Sequence, residues 1–183
     1  MKTKMNLLML LVGSIILMSA SCKKEKTGVD GLPPATQAGA MTFGCLVNGE
    51  VFIPKGDFTG APAKQCNYGI LPGTTTLYFS VSGSEKSNSS NVLKVSLRST
   101  NVELKTGTTI PLVNGSDGEA SGSYFIFSQQ DNEYKTNTAS KGEFKVTLFD
   151  ATKRIIAGTF WFDAVNAQGE KVEVRKGRFD MKF

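Results

Sequence analysis

The sequence predicts an all-β fold, an antiparallel β-sandwich or a partly open barrel. Three observations predict it. Apolar residues alternate with a period of two over many short runs, the pattern of half-buried strands. Gly, Asn, Asp, Ser and Pro punctuate those runs at regular spacing, as turns do. Beyond Met18 no stretch shows the 3.6-residue period of an amphipathic helix. At 183 residues the chain is one domain's worth or slightly more.

The first element is not part of that fold. Lys2 and Lys4 precede a nearly unbroken apolar run, Leu7 to Met18, and the small residues Ser19, Ala20 and Ser21 follow. This is the three-part layout of a secretory signal peptide, expected over 1–21, and it falls short of the ~20 apolar residues of a spanning helix. Small residues directly before Cys22 resemble the lipobox of bacterial lipoproteins. Ser19 stands where that box usually has leucine, as in the looser boxes of Bacteroidetes-type lipoproteins, whose start "SCKKE" also resembles. The resemblance implies a diacylglycerol on the Cys22 sulfur, cleavage before it, and an acylated N-terminus. Two or more acyl chains anchor stably where one does not. The plain alternative is a secreted protein whose Cys22 merely follows the cleavage site.

Residues 22–40 run "CKKEKTGVDGLPPATQAGA", with Val29 and Leu32 as the only large aliphatics. Such a stretch is expected to be a flexible tether. Its "KKEK" partly resembles the charged surface-export signals of Bacteroidetes-type lipoproteins. The expected location is therefore the outer membrane, facing either the periplasm or the exterior.

The domain is expected to occupy 41–183, with about nine or ten strands. "TFGCLV" and "EVFIP" meet at Asn48-Gly49, a strong hairpin signal because both residues tolerate positive φ. "GDFTGAPAK" is predicted as loop, "CNYGIL" as a short strand ending in a turn at Pro72-Gly73. "TTLYFSVSG" puts Leu77, Phe79 and Val81 on one face. After the polar loop "SEKSNSSN", "VLKVSLRS" aligns Leu93 or Val92 with Val95 and Leu97. "GTTIPLV" is an edge or irregular strand because Pro111 removes a ladder donor. "SYFIFSQ" is a strand between the loops "NGSDGEASG" and "QDNEYKTNTAS". A three-stranded meander closes the chain. "GEFKVTLFD" faces Phe144, Val146 and Leu148 inward. "RIIAGTFWFDAV" faces Ile156, Gly158, Phe160 and Phe162 inward and Trp161 outward. In "EKVEVRKGRFDMKF" the inward sets Val172/Val174 and Phe179/Met181/Phe183 differ in parity. An extra residue is required, and Lys176-Gly177 is its expected place.

"TFGCLVNGEVFIPKG", "LKTGTTIPL" and the final segment with "GTFWFDA" and "KGRFD" resemble a domain-of-unknown-function family of Bacteroidetes lipoproteins over most of 41–183. The resemblance implies an exported all-β lipoprotein domain and no assigned chemistry.

Composition narrows the functions. From Met41 on there are 16 Lys and Arg against 14 Asp and Glu, a net +2 that offers no footprint for nucleic acid. The chain has no histidine, which excludes the usual Ser–His–Asp and Cys–His mechanisms and histidine-ligated metals. Carboxylate-pair glycosidase chemistry survives. No cofactor is indicated.

Candidate site residues remain, each beside a plainer reading. Cys45 and Cys66 are expected to form a disulfide in an exported domain, the alternative being two buried thiols. Asn114, Asp117 and Glu119 carry oxygen ligands in a Gly-rich loop but lack the calcium-loop order, so an ordinary turn is expected. Lys171, Arg175, Lys176, Arg178 and Lys182 would meet acidic glycans or lipid head groups, or simply form a strand's solvent face. Trp161, Tyr68, Tyr78 and Tyr124, with Tyr134, are the residues a sugar-binding surface would use; Trp161 tucked under a loop or terminus is the alternative. Asp150, Asp163 and Asp180 lie near strand ends with no spacing that makes a pair. The expected function is a lipid-anchored, non-catalytic binding or structural module, its partners the membrane and a glycan or protein. A carbohydrate-binding accessory domain or carboxylate-dependent carbohydrate-active enzyme is the alternative.

Overall fold

The computed structural model describes residues 31–58, 61–87, 91–127 and 132–183; of 57, 58 and 87 only the backbone is described. The signal segment and Cys22 lie outside these. The described chain is all-β. Its strands are β1 (Thr42–Val47), β2 (Glu50–Phe52), β3 (Asp57–Phe58), β4 (Ala61–Pro62), β5 (Lys64–Ile70), β6 (Leu77–Ser87), β7 (Asn91–Thr100), β8 (Thr109–Pro111), β9 (Ala120–Phe127), β10 (Asn132–Lys135), β11 (Gly142–Asp150), β12 (Ile155–Val165) and β13 (Lys171–Lys182). The count exceeds the expected nine or ten because β3, β4 and β10 arise in stretches read as loop. These are two to four residues long, too short to show a period.

Eleven strands join in one antiparallel sheet curled into a half-barrel, in the order β2-β1-β13-β12-β10-β9-β7-β6-β5. The sheet forks at β12. Its second edge pairs with β11 from Ile155 to Phe162 and with β10 only at Val165. β11 carries β8 on its far side. The curl brings the two ends together: Lys55, just past β2, bridges to Glu85 of β6.

The local signals operate as their chemistry requires. Asn48 and Gly49 both take positive φ, 50° and 87°, and close the β1–β2 hairpin at Val47 opposite Glu50. The Leu71–Thr74 turn has Gly73 at φ 74° and a hydrogen bond from the Thr74 N–H to the Leu71 carbonyl, 3.1 Å. β8 pairs with β11 alone, as Pro111 requires. β11, β12 and β13 form the expected meander.

In β13 the parity change is accommodated by a bulge. Phe160 pairs with Gly177 but Phe162 pairs with Val174, so Arg175 and Lys176 together oppose Trp161. Val172 and Val174 before it, and Phe179 and Met181 after it, are all buried.

The core fills the curl. Phe79 of β6 stacks on Phe144 of β11 with ring centroids 5.3 Å apart, and Phe43 of β1 lies 5.5 Å from Phe160 of β12. Two halves of one sheet thus pack face to face, which is what makes the half-barrel resemble a sandwich.

Of the expected tether, 22–30 lie outside the described residues, and the described part, 31–40, departs from the expectation. Leu32 is fully buried. From there to Ala40 the chain lies across the outer face of the meander as a strap. Pro33 packs on Gly44 of β1, Gln37 donates to the Thr147 carbonyl of β11 (3.2 Å), and Gly39 touches Ile155 and Lys182. Among the described residues the packed unit therefore includes Leu32 to Ala40 as well as the chain from Met41. Composition concealed this because one carboxylate, distant in sequence, holds the strap.

Candidate functional site

That carboxylate is Asp180, an outward residue of β13 with no exposed surface. It accepts hydrogen bonds from Thr36 Oγ1 (2.6 Å) and from the backbone N–H groups of Ala38 (2.9 Å), Gly39 (2.7 Å) and Ala40 (3.2 Å). Burial pushes its pKa up, but these four donors outweigh that and hold it below the ordinary aspartate value. Asp180 is a latch for the strap.

Beside the strap lies a groove of about 380 Å³ on the outer face of the same strands. Two cross-strand rows build it. One row runs Thr109, Lys145, Thr159, Arg178 from β8 to β13; the next runs Pro111, Glu143, Trp161. The period of two puts all of these on the face opposite the aromatic core. Ala35 of the strap contributes to the lining, and the Pro33 carbonyl accepts from Arg178 Nη1 at 3.5 Å.

Trp161 is half-buried here, and the bulge explains its setting. Because two residues of β13 oppose it, Arg175 folds over its ring, guanidinium carbon 5.5 Å from the centroid. Arg175 is itself held by the Phe162 and Val174 carbonyls, both at 3.0 Å, and by the carboxylate of Asp163. Lys176 takes a left-handed φ of 52° and is exposed at the groove. Glu143, Lys145 and Lys176 make no ion pair among the described residues.

No family model, curated protein or solved structure matches the chain. The site therefore rests on its own geometry.

The other sequence-derived candidates disperse. Tyr68 and Tyr78 line a separate depression of about 310 Å³ with Ile70, Leu71 and Phe183, sharing no residue with the Trp161 groove. There Tyr68 packs edge-on against Phe149 and Phe183. Tyr124 is no surface residue: its position in β9 points inward, it is buried, and burial pushes its pKa up to about 12. Tyr134 is buried 6.0 Å from it and donates to Glu170 at 3.1 Å. A single aromatic platform of Trp161 with the tyrosines is thus overturned, since alternation and the fork of the sheet send them to three places.

Cys45 and Cys66 are two free thiols, not a disulfide. Cys45 is fully buried in β1, and Cys66 lies in β5 at the far end of the strand order. Burial raises both thiols, Cys66 to about 12, so neither is a poised nucleophile.

The remaining acidic candidates do structural work. Asp117 accepts from Asn101, and Glu119 accepts from the Ser116 N–H at 3.2 Å, closing an ordinary turn. Asp150 accepts from the Lys153 N–H at 2.9 Å, which holds its carboxyl below the usual range. With Asp163 on Arg175 and Asp180 on the strap, the three strand-end aspartates serve three separate contacts. Of the cations, Lys176 and Arg178 reach the groove and Arg175 backs Trp161; Lys171 and Lys182 are exposed elsewhere on β13. Sequence reasoning missed Glu143, Lys145 and Thr159, whose signal was their outward parity beside Trp161 on neighbouring strands.

Proposed function

We propose that this chain is a lipid-anchored protein of the outer cell envelope, of the Bacteroidetes lipoprotein type, whose all-β domain is a non-catalytic binding module. The groove beside Trp161 is its binding face. The observation that carries this is a half-buried tryptophan in a groove with Glu143, Lys145 and Lys176, which make no ion pair among the described residues, on the outer face of a meander. The strand-end aspartates support binding over hydrolysis, since each is already engaged in a different contact. The anchor is supported by the run from Lys2 to Cys22.

Two experiments test the reading. Membrane-extracted protein is expected to have a mass beginning at Cys22 plus acyl chains, and Cys22→Ala is expected to release it to the soluble fraction. An unlipidated mass sinks the anchor. Protease treatment of whole cells then assigns the face: loss places the domain outside, resistance places it in the periplasm. For the binding face, Trp161→p-benzoylphenylalanine is expected to photo-crosslink in cells, while the same substitution at exposed Lys153 is not. Equal adducts at both positions, or none at 161, sink the groove.

A further inference from the structure

We infer that the Trp161 groove takes an acidic saccharide, a sugar carrying a carboxylate or similar anionic substituent. This deepens the binding-module reading and rests on it. Lys145 and Lys176, neither of them ion-paired among the described residues, share the groove with one carboxylate, Glu143, and Arg178 lines it as well. Lys176 lines the groove from a left-handed backbone, a conformation unfavourable for a lysine that the β13 bulge holds in place.

The chemistry distinguishes a sugar from a lipid surface. A phosphate-bearing membrane is a plane of like charge attracted by clustered cations. A concave groove with a carboxylate in it does not suit such a plane. Glu143 repels anions but accepts hydrogen bonds from hydroxyls, and the hydroxyl of Thr159 makes no hydrogen bond within the described residues. Arg175 covers one face of the indole, and the part of the ring that lines the groove offers apolar contact to C–H groups. A ligand with an anionic group, hydroxyls and an apolar face satisfies all of these together. The groove's volume lies in the range of about 300–1,000 Å³ common for small-ligand sites.

Trp161 is the chain's single tryptophan, so its emission reports on the groove without a label. The full mature chain carrying Cys22→Ala is titrated with trigalacturonate, its carboxyl-reduced neutral counterpart, and phosphatidylglycerol vesicles. Trigalacturonate is expected to give a saturable emission change that weakens with salt. Lys145→Gln and Lys176→Gly, unchanged in thermal unfolding or slightly stabilised, are each expected to weaken it about tenfold or more. Equal affinity for the neutral counterpart overturns the anionic assignment and leaves the groove a binding site. A response to vesicles alone overturns the saccharide in favour of a membrane surface. Silence towards all three overturns the inference, and photo-crosslinking at position 161 then decides the binding-module reading separately.

Discussion

A single buried carboxylate organises the N-terminal side of the domain. Asp180 receives four donors and is the strap's main polar attachment. Asp180→Ala leaves those donors facing a void and is expected to cost about 3 kcal/mol, read from urea midpoints. Its pKa is lower folded than unfolded, so its contribution is present above the unfolded value near ~3.9 and is lost as pH falls through the folded value. Wild type should therefore lose stability below about pH 4 more steeply than Asp180→Asn, which has no charge to lose. Gly177 makes a steric prediction. A Cβ there would overlap the Phe160 ring, so Gly177→Ala should destabilise by about 1–3 kcal/mol in the same assay. The thiols make a chemical one. A chain beginning at Gly31 should present two thiols to Ellman's reagent in denaturant and react slowly when native at pH 8, since burial raises both pKa values. Zero thiols in denaturant would restore the disulfide.

At the scale of elements, the bulge and the strap matter most. The β13 bulge lets one strand serve two parities of core. It also turns Arg175 onto Trp161 and Lys176 toward the groove. A structural correction thus creates the local surface of the candidate site, in keeping with the tendency of bulges to re-aim side chains beside sites. The strap extends the domain beyond the strands. Leu32 alone accounts for roughly 1.5–3 kcal/mol of burial. A chain starting at Met41 should consequently melt several degrees below one starting at Gly31. It should also be cut sooner by protease near β13, whose Asp180 the strap covers. Equal melting of the two chains would mean that the strap adds nothing. Because Ala35 lines the groove, truncation should alter Trp161 emission as well.

At the scale of the molecule, one eleven-stranded sheet surrounds one aromatic core, with β3 and β4 paired apart from it. β1 pairs with β13, Thr42 opposite Asp180, so the ends of the domain close on each other. Among the described residues the core's buried apolar side chains form one cluster, and unfolding should be a single cooperative transition. Trp161 emission on the outer face and far-UV circular dichroism should give coincident curves in urea. Separate midpoints would mean that the meander and the β5–β7 wall unfold independently. Pairings this distant in sequence place refolding in the millisecond-to-second range.

The sequence by itself determined what depends on near neighbours. The two-residue period chose the inward and outward faces of most strands; past Val146 it failed, because a bulge in β11 pairs Leu148 with Ala157 and turns Phe149 rather than Leu148 toward the core. Asn48-Gly49 set the first hairpin, and the parity break located the bulge to within one residue, expected at Lys176-Gly177 and found at Arg175-Lys176. These signals are legible because alternation and turn dihedrals are local properties. Only the tertiary structure decided that β1 lies beside β13, that the sheet forks at β12, and that Glu143, Lys145 and Thr159 share a groove with Trp161. It also decided that Tyr124 is core while Tyr68 and Tyr78 belong to another depression, and that Leu32 to Ala40 is domain rather than tether. The physical reason is the same in each case. Which strands meet, and which backbone donors find a buried carboxylate some 140 residues away, depends on long-range register and packing that no short-range period encodes.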